Sequence, residues 1–176
     1  YQDGWSLAKD STDRNLQIQQ IIEQSPGIQF REIMRSSGLK NGVLSHYLGK
    51  LEKSGVIKVN RGQRQTRFFS PQITEDESIV IKALRKQTPR DLLLALITED
   101  GLEFSQLVKE VKKSPSTVSL YLSQLVDDGL VEPKFVSLKK RYHIKVRQLV
   151  DKLVEEHRPG SLEKSTSGFE DIINSF

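Results

Sequence analysis

Apolar residues in the first part of the chain recur at spacings of three and four, the period of an amphipathic helix. The three stripes are Ile18, Ile21 and Ile22; Phe30, Ile33 and Met34; and Leu44, Leu48 and Leu51. Each stripe is followed by a glycine, at Gly27, Gly38 and Gly55, and glycine readily takes the left-handed conformation that ends a helix. Positions 56–60 and 66–70 then alternate as strands do, around the basic loop 61–65. The pattern predicts three helices followed by a hairpin.

The middle of the chain repeats this order of helices and strands, with different residues at the helix ends. The stripes there are Leu92, Leu93 and Leu96; Phe104, Leu107, Val108 and Val111; and Val118, Leu122 and Leu125. Thr88 and Ser114 are predicted N-caps, because each is a hydroxyl residue followed at once by a proline that the first helical turn tolerates. A second hairpin is predicted over 130–135 and 138–144, and Pro133 indicates a strand that is open on one edge.

An internal repeat explains the similarity. When the chain is shifted by 74 residues, LSHYLGKLEKSG at 44–55 aligns without a gap to VSLYLSQLVDDG at 118–129, with five of twelve positions identical. The same offset pairs three further identities: Gly27 with Gly101, Phe30 with Phe104, and Arg67 with Arg141. We interpret the chain as two copies of one unit.

Two more amphipathic segments lie outside the copies. Thr74 and Glu77 form a capping-box pattern that opens a linker helix, and apolar positions from Val146 to Val154 predict a C-terminal helix ended by Pro159 and Gly160. The fold class is mainly α with small β wings (α+β): two tandem winged helix-turn-helix domains joined by a helical linker, plus a C-terminal helix. The predicted boundaries are 12–73 and 89–145 for the domains, 74–88 for the linker, 146–158 for the last helix and 159–176 for a tail.

Composition excludes several kinds of protein. The longest aliphatic run, 92–97, is far shorter than the roughly 18 residues of a membrane span, so we expect no membrane association and a cytoplasmic location. The absence of cysteine rules out disulfides and thiolate zinc sites, and three scattered histidines form no metal-binding pattern. No nucleotide-binding glycine loop, HExxH or GxSxG motif occurs. We therefore predict no metal, no cofactor and no enzymatic activity.

Positive charge is concentrated in the two repeats. The net charge is +4, but residues 31–70 carry nine basic and two acidic side chains and residues 105–145 carry eight and four. The remaining residues sum to −7. Two basic blocks favour contact with a polyanion, with an ordinary solvated surface as the alternative.

The residues of the second repeat resemble a known family. Residues 114–122, SPSTVSLYL, running on to Gly129 and Leu130, are similar to the third helix and first wing strand of ArsR/MarR-type winged-helix regulators, and 40–57 is a looser version. Two such units in tandem resemble archaeal-type transcriptional regulators, over about residues 12 to 158. The second copy differs from the first at Lys112 and Leu120, which replace Gly38 and His46. We therefore expect the second copy either to bind DNA more weakly or to contact a partner molecule with this face.

The third helix of each copy is the predicted DNA reader, because the major groove admits a helix whose N-terminal side chains meet base edges. In the first copy we place Asn41, Ser45 and His46 at bases and Lys40 and Lys50 at phosphates. The equivalents in the second copy are Ser114, Ser116, Thr117 and Ser119, whose alternative role is capping. The resemblance implies wings along the backbone or in the minor groove, a role for Arg61, Arg64 and Arg67 and, in the second copy, for Lys139, Lys140 and Arg141. Tyr47 and Tyr121 are expected to pack rather than bind.

Two functions fit these sequence observations. The first is a double-stranded DNA-binding transcriptional regulator, with homodimerisation through terminal or linker helices and a small-molecule effector left open. The second is a protein-interaction scaffold, such as a chromosome-condensation accessory subunit or polymerase-associated factor, since winged helices do not oblige DNA binding. Exposed apolar residues on the third helices and neutral wings would favour the scaffold.

Overall fold

The computed structural model describes the backbone of residues 3–156 and the side chains of residues 9–156. The chain divides into two compact units, Tyr1–Thr74 and Glu75–Phe176. None of the helices in the described part is both long and apolar enough to cross a bilayer.

The first unit contains three helices and a small sheet. Its helices are α1 (Asp3–Gln24), α2 (Phe30–Ser37) and α3 (Asn41–Lys53), and its strands are β1 (Ile28–Gln29), β2 (Lys58–Arg61) and β3 (Thr66–Phe69). The antiparallel sheet has the order β1-β3-β2. This confirms the predicted helices and hairpin. Sequence reasoning missed β1, because two residues are too few to show an alternating pattern, and α1 begins ahead of the predicted domain start at residue 12.

The predicted stripes of the first unit form its core. Each fully buried aliphatic side chain contributes about 1.5–3 kcal/mol of hydrophobic stabilisation. The buried residues are Ile18, Ile22, Ile28, Ile33, Leu44, Tyr47, Leu48, Leu51, Ile57 and Phe68. Because α1 packs against both α2 and α3, this core holds the opposite face of α3 toward solvent.

Up to residue 156, the second unit contains five helices and one hairpin. Its helices are α4 (Glu75–Leu84), α5 (Gln87–Thr98), α6 (Phe104–Val111), α7 (Pro115–Asp127) and α8 (Arg147–Glu156), and its strands are β4 (Val131–Val136) and β5 (Lys139–Ile144). Pro133 lies in β4, which pairs with β5 alone and is an edge strand as predicted. The predicted helix end at Pro159 and Gly160 and the tail 159–176 lie outside the described residues.

Two predictions about the linker need revision. The side chains of Val80, Ile81 and Leu84 are buried, and α4 packs on α5 and α8, so the predicted linker helix contributes to the core of the second unit. The prediction that Thr88 caps α5 is wrong: the helix begins at Gln87 with Lys86 as the extended N-cap residue. Thr88 is already inside the first turn and buried, because only a short connection separates α4 from α5.

The sequence repeat is also a repeat of backbone geometry. Gly27 and Gly101 adopt φ values of 77° and 78°, and each accepts a hydrogen bond on its carbonyl oxygen from an arginine 40 residues later. Those donors are Nη1 of Arg67 at 2.7 Å and Nη1 of Arg141 at 3.2 Å. The strand pairing repeats as well: Ile28 with Phe68, and Leu102 with Tyr142. The identical residues at this offset therefore include the glycine of the turn and the strand arginine whose side chain donates a hydrogen bond to the glycine carbonyl.

One repeated turn is occupied by a less suitable residue. Gly38 ends α2 with φ 70°, whereas Lys112 ends α6 with φ 54°, and a side chain in this conformation costs roughly 1 kcal/mol or more. We expect Lys112→Gly to raise the free energy of unfolding by about 0.5–1 kcal/mol, measured by urea denaturation. Lys113→Gly is the control, since Lys113 has no positive φ and gains only backbone freedom. Equal effects of the two variants would contradict this interpretation.

Candidate nucleic-acid interface

The third helix of the first unit presents a polar face to solvent. Gly38 turns the chain after α2, and α3 then buries Leu44, Leu48 and Leu51. The exposed residues around its first three turns are Lys40, Asn41, Ser45, His46 and Lys50. The predicted exposure of all five is confirmed. Asn41 lies four residues before Ser45, and His46 lies four residues before Lys50, so the two members of each pair are neighbours on the helix surface.

The contacts of this face leave its cations available. The Ser45 hydroxyl donates to Oδ1 of Asn41 at 3.3 Å, and the His46 ring meets the Tyr47 ring edge-on at 5.7 Å. The side-chain ammonium groups of Lys40 and Lys50 form no hydrogen bond or ion pair with any described residue. Within residues 9–156, no side chain caps the first turn of α3, so its leading backbone N–H groups are open to an acceptor such as a phosphate.

Tyr47 anchors this helix to α1. Its ring is buried, which confirms the packing role, and the Arg14 guanidinium lies 6.0 Å from the ring centre. Hydrogen bonds with Ser11 and Arg14 hold the pKa of the Tyr47 hydroxyl below its usual value. Because these contacts come from α1, the orientation of the exposed face is set by the longest helix of the unit. Tyr121, the equivalent residue in the second unit, is half-buried.

The first wing offers one unengaged arginine. Arg64 lies in the exposed turn between β2 and β3, where Gly62 N–H bonds to the Gln65 carbonyl at 2.9 Å. Arg61, by contrast, forms a two-pronged ion pair with Glu52, both bonds at 2.7 Å. These hydrogen bonds lower the pKa of Glu52, and its carboxylate balances the positive charge of Arg61.

The structure contradicts the assignment of Arg67 to DNA. Its side chain is only 6% exposed. Its guanidinium donates to the Gly27 carbonyl at 2.7 Å and to Oε1 of Gln65 at 2.8 Å. Arg67 therefore connects the wing to the turn after α1 and is not a surface contact.

The start of α7 carries hydroxyl residues, with Ser114 at the position equivalent to Lys40 and Pro115 at the position equivalent to Asn41. Ser114 caps α7 by accepting a hydrogen bond from Thr117 N–H at 3.3 Å, and its hydroxyl lies 2.8 Å from that of Thr117 and 3.3 Å from that of Ser116. Ser119 is exposed and lines a cavity of about 410 Å³ between α7 and the second wing. At the positions equivalent to His46, Lys50 and Lys53, α7 carries Leu120, Gln124 and Asp127.

The cations of the second wing have partners within the unit. Lys139 Nζ and Arg141 Nη2 lie 3.5 Å and 3.9 Å from the same Glu103 carboxylate oxygen. Lys140 Nζ lies 5.5 Å from the centre of the Tyr142 ring. Lys134, which was not among the predicted contacts, pairs with Glu132 at 3.1 Å. This wing consequently has less positive charge to offer than its sequence indicates.

Sequence reasoning missed two sets of surface residues. Arg31 and Arg35 are exposed on α2 at a spacing of four, which a helical wheel of 30–37 would have shown. Phe135, Val136 and Leu138 are exposed apolar residues of the second wing, for which the sequence analysis made no prediction. No group of three or more potential metal-ligating side chains occurs within the described ranges, and His143 instead lies 3.1 Å from Asp100.

Comparisons with known proteins agree with this architecture. A family model described as an N-terminal HTH domain matches residues 12–81, and the model of the bacterial regulatory protein arsR family matches residues 82–133. No curated protein matches the chain. Among solved structures, the chain is similar to the NMR structure of the cadmium metal-sensor CMTR from Mycobacterium tuberculosis, with 27% identity over 51% of this chain and 92% of that chain and a TM-score of 0.41. The chain is a tandem winged helix-turn-helix protein with domains of the kind found in DNA-binding transcriptional regulators, the second of them similar to the arsR family.

Proposed function

We propose that this protein is a double-stranded DNA-binding transcriptional regulator of the cytoplasm, and that its first unit supplies most of the affinity. The observation that carries the proposal is the exposed face of α3, where the ammonium groups of Lys40 and Lys50 form no hydrogen bond or ion pair with a described residue. Arg64 adds a third unengaged cation in the wing. A helix and wing that present free cations meet the main requirement for binding the phosphate backbone.

The proposal divides the contacts of the first unit into two kinds. Asn41, Ser45 and His46 meet base edges in the major groove, where an asparagine amide can form two hydrogen bonds with adenine. Lys40, Lys50 and Arg64 bind phosphates and set the position of the unit on the duplex. Arg61 contributes less, because the Glu52 carboxylate already holds it.

The second unit has a smaller role in DNA binding. Ser114, Ser116, Thr117 and Ser119 are proposed to meet the duplex at the start of α7, and short hydroxyls give modest discrimination among bases. We leave Lys139 and Arg141 out of the proposed phosphate contacts because Glu103 competes for them, and Lys140 because it lies over Tyr142. In this role the protein performs no chemistry on the bound DNA.

A scaffold function remains the second candidate, on one specific observation. Leu120 on α7 is 57% exposed and Phe135 in the second wing is 75% exposed, the apolar third helix and wing that protein binding favours. The first unit shows the opposite pattern, with exposed lysines on α3. We therefore assign DNA binding to the first unit.

The salt dependence of duplex binding tests the proposal. If Lys40, Lys50 and Arg64 neutralise three phosphates, affinity should fall roughly 40-fold between 50 and 200 mM salt. Fluorescence anisotropy with random-sequence duplexes would measure this fall, and a selection from the same random pool would give the preferred site. A flat response to salt, or no binding to any duplex, would reject DNA binding.

A further inference from the structure

The hairpins of the two units share one register, so their residues can be compared position by position. At the offset of 74, each residue pair between β2 and β3 has its equivalent between β4 and β5. The pair of Arg61 with Thr66, for example, corresponds to the pair of Phe135 with Lys140. Differences between the two units in this region therefore come from the side chains and not from the strand pairing.

In the first unit, an ion pair spans the space between the third helix and the wing. Glu52 of α3 holds the Arg61 guanidinium through two bonds of 2.7 Å. The equivalent residues of the second unit are Val126 and Phe135, which cannot form an ion pair. Val126 instead lines the cavity of about 410 Å³, and Phe135 is 75% exposed. The second unit is therefore open where the first is bridged, and its cavity lies in the size range of small-molecule sites.

The α7 wall of this cavity has a polar row beside an apolar one. Ser119, Ser123 and Asp127 follow one another at a spacing of four, so their side chains lie along one line of the helix. Neither serine hydroxyl forms a hydrogen bond with a described residue. Leu122 and Val126 form the neighbouring row at the same spacing. The wall thus offers two hydroxyls and a carboxylate next to an aliphatic surface, which suits a molecule that is polar on one side and apolar on the other.

Two opposite charges line the cavity without neutralising each other. The Asp127 carboxylate belongs to the helix and the Lys140 ammonium to the wing, and both residues are exposed. Neither forms an ion pair with a described residue, and the Lys140 ammonium lies 5.5 Å from the centre of the Tyr142 ring. By contrast, the other three cations of this hairpin are paired with carboxylates of the unit. Asp127 and Lys140 are therefore free to bind one ligand that carries both an ammonium and a carboxylate group.

We propose that this cavity binds a small zwitterionic molecule with an apolar body, of which an α-amino acid with an aliphatic or aromatic side chain is the simplest example. The ammonium group of the ligand binds the Asp127 carboxylate, its carboxylate binds the Lys140 ammonium, and its side chain lies against Leu122 and Val126. A charge-assisted hydrogen bond at each end fixes the orientation of the ligand. A nucleotide or another polyanion fits less well, because the Asp127 carboxylate repels it.

Occupancy of the cavity also affects the contact of the second unit with DNA, a consequence that rests on the proposed function. Ser119 lines the cavity and is one of the hydroxyl residues proposed to meet the duplex. The ligand and the duplex therefore compete for one face of α7. By linkage, each lowers the affinity of the protein for the other by the same factor.

Titration of the full chain without DNA tests the proposal, with L-leucine and L-phenylalanine as probes and calorimetry as the measurement. Both should bind in a saturable manner, at one site per chain. Two analogues of leucine identify the charged contacts: isocaproate lacks the ammonium group and isoamylamine lacks the carboxylate. Each analogue should bind at least about 10-fold more weakly than leucine, because a hydrogen bond between charged groups is lost.

Variants of the two charged residues should remove these preferences one at a time. Asp127→Asn should bind leucine at least about 10-fold more weakly without weakening the binding of isocaproate, and Lys140→Met should do the same without weakening that of isoamylamine. Asp128→Asn and Lys139→Met are the matched controls, since each removes the same charge from an adjacent residue that does not line the cavity. Both controls should bind leucine as the unmodified chain does.

A further variant closes the cavity. Val126→Glu combined with Phe135→Arg introduces the ion pair of the first unit at the equivalent positions of the second. This variant should no longer bind leucine, while circular dichroism and thermal unfolding show that it remains folded.

The proposal is overturned if neither amino acid binds in a saturable manner at millimolar concentration, or if Asp128→Asn weakens leucine binding as much as Asp127→Asn does. Since the titrations are made on the free protein, a chain that binds leucine but no duplex would contradict the proposed function and leave this inference standing. A chain that binds duplex but neither amino acid would overturn this inference alone.

Discussion

Replacing Lys40 and Lys50 together with glutamate is expected to lower affinity for duplex DNA about 100-fold or more at physiological salt. Both side chains are exposed on α3 and form no ion pair with a described residue, so each substitution turns an attraction to phosphate into a repulsion. The logarithm of affinity should also depend less steeply on the logarithm of salt concentration, by about two for the two lost contacts. Titrations of one duplex at several salt concentrations would measure both effects.

Two controls separate position from total charge in this experiment. Gln124→Glu places a carboxylate at the equivalent position of α7, and we expect a smaller loss because the second unit has the lesser role. Lys152→Glu changes the net charge by the same amount per substitution. Because Lys152 is on α8, outside both third helices in the sequence, we expect little effect on affinity for duplex DNA. If Lys152→Glu weakened binding as much per substitution as the α3 changes do, α3 would not be the phosphate-binding element.

Arg67→Ala should lower the free energy of unfolding of the protein by about 2–4 kcal/mol. Its buried guanidinium donates to the Gly27 carbonyl and to the Gln65 side chain, and truncation leaves the carbonyl of the buried Gly27 without this donor. For a domain the size of the first unit, a loss of 1 kcal/mol in the free energy of unfolding lowers the melting temperature by roughly 4–8 °C. Urea denaturation and thermal unfolding would therefore show a large change.

The neighbouring arginines are the natural comparison for Arg67. Arg64→Ala should change stability by no more than about 0.5 kcal/mol, since Arg64 is exposed in the wing turn. Arg141→Ala should cost about 1 kcal/mol or less, because its bond to the Gly101 carbonyl is longer, at 3.2 Å, and its side chain is 41% exposed. An Arg67→Ala protein that is as stable as the unmodified chain, yet fails to bind duplex, would return Arg67 to the DNA surface.

The helices and the repeat could be predicted from the sequence because their signals are local. The apolar stripe of Leu44, Leu48 and Leu51 depends only on helical period, and Gly55 ends α3 through its own backbone freedom. The exposed face of α3 followed directly, since burying one side of a helix leaves the other outside. The sequence pattern did not predict β1, because this strand is too short. It also gave the wrong N-cap at Thr88, where one helix closely follows another.

The sequence by itself determined that the chain has two similar units, which positions of each third helix face solvent, and that the first unit is the more basic. Only the tertiary structure decided which of the cations are free. Arg61, Arg64 and Arg67 are identical residues spaced evenly along one predicted hairpin, yet one pairs with Glu52, one is exposed and one is buried against Gly27. Their partners lie nine and forty residues away in the chain, and the availability of a charge depends on what folding places beside it.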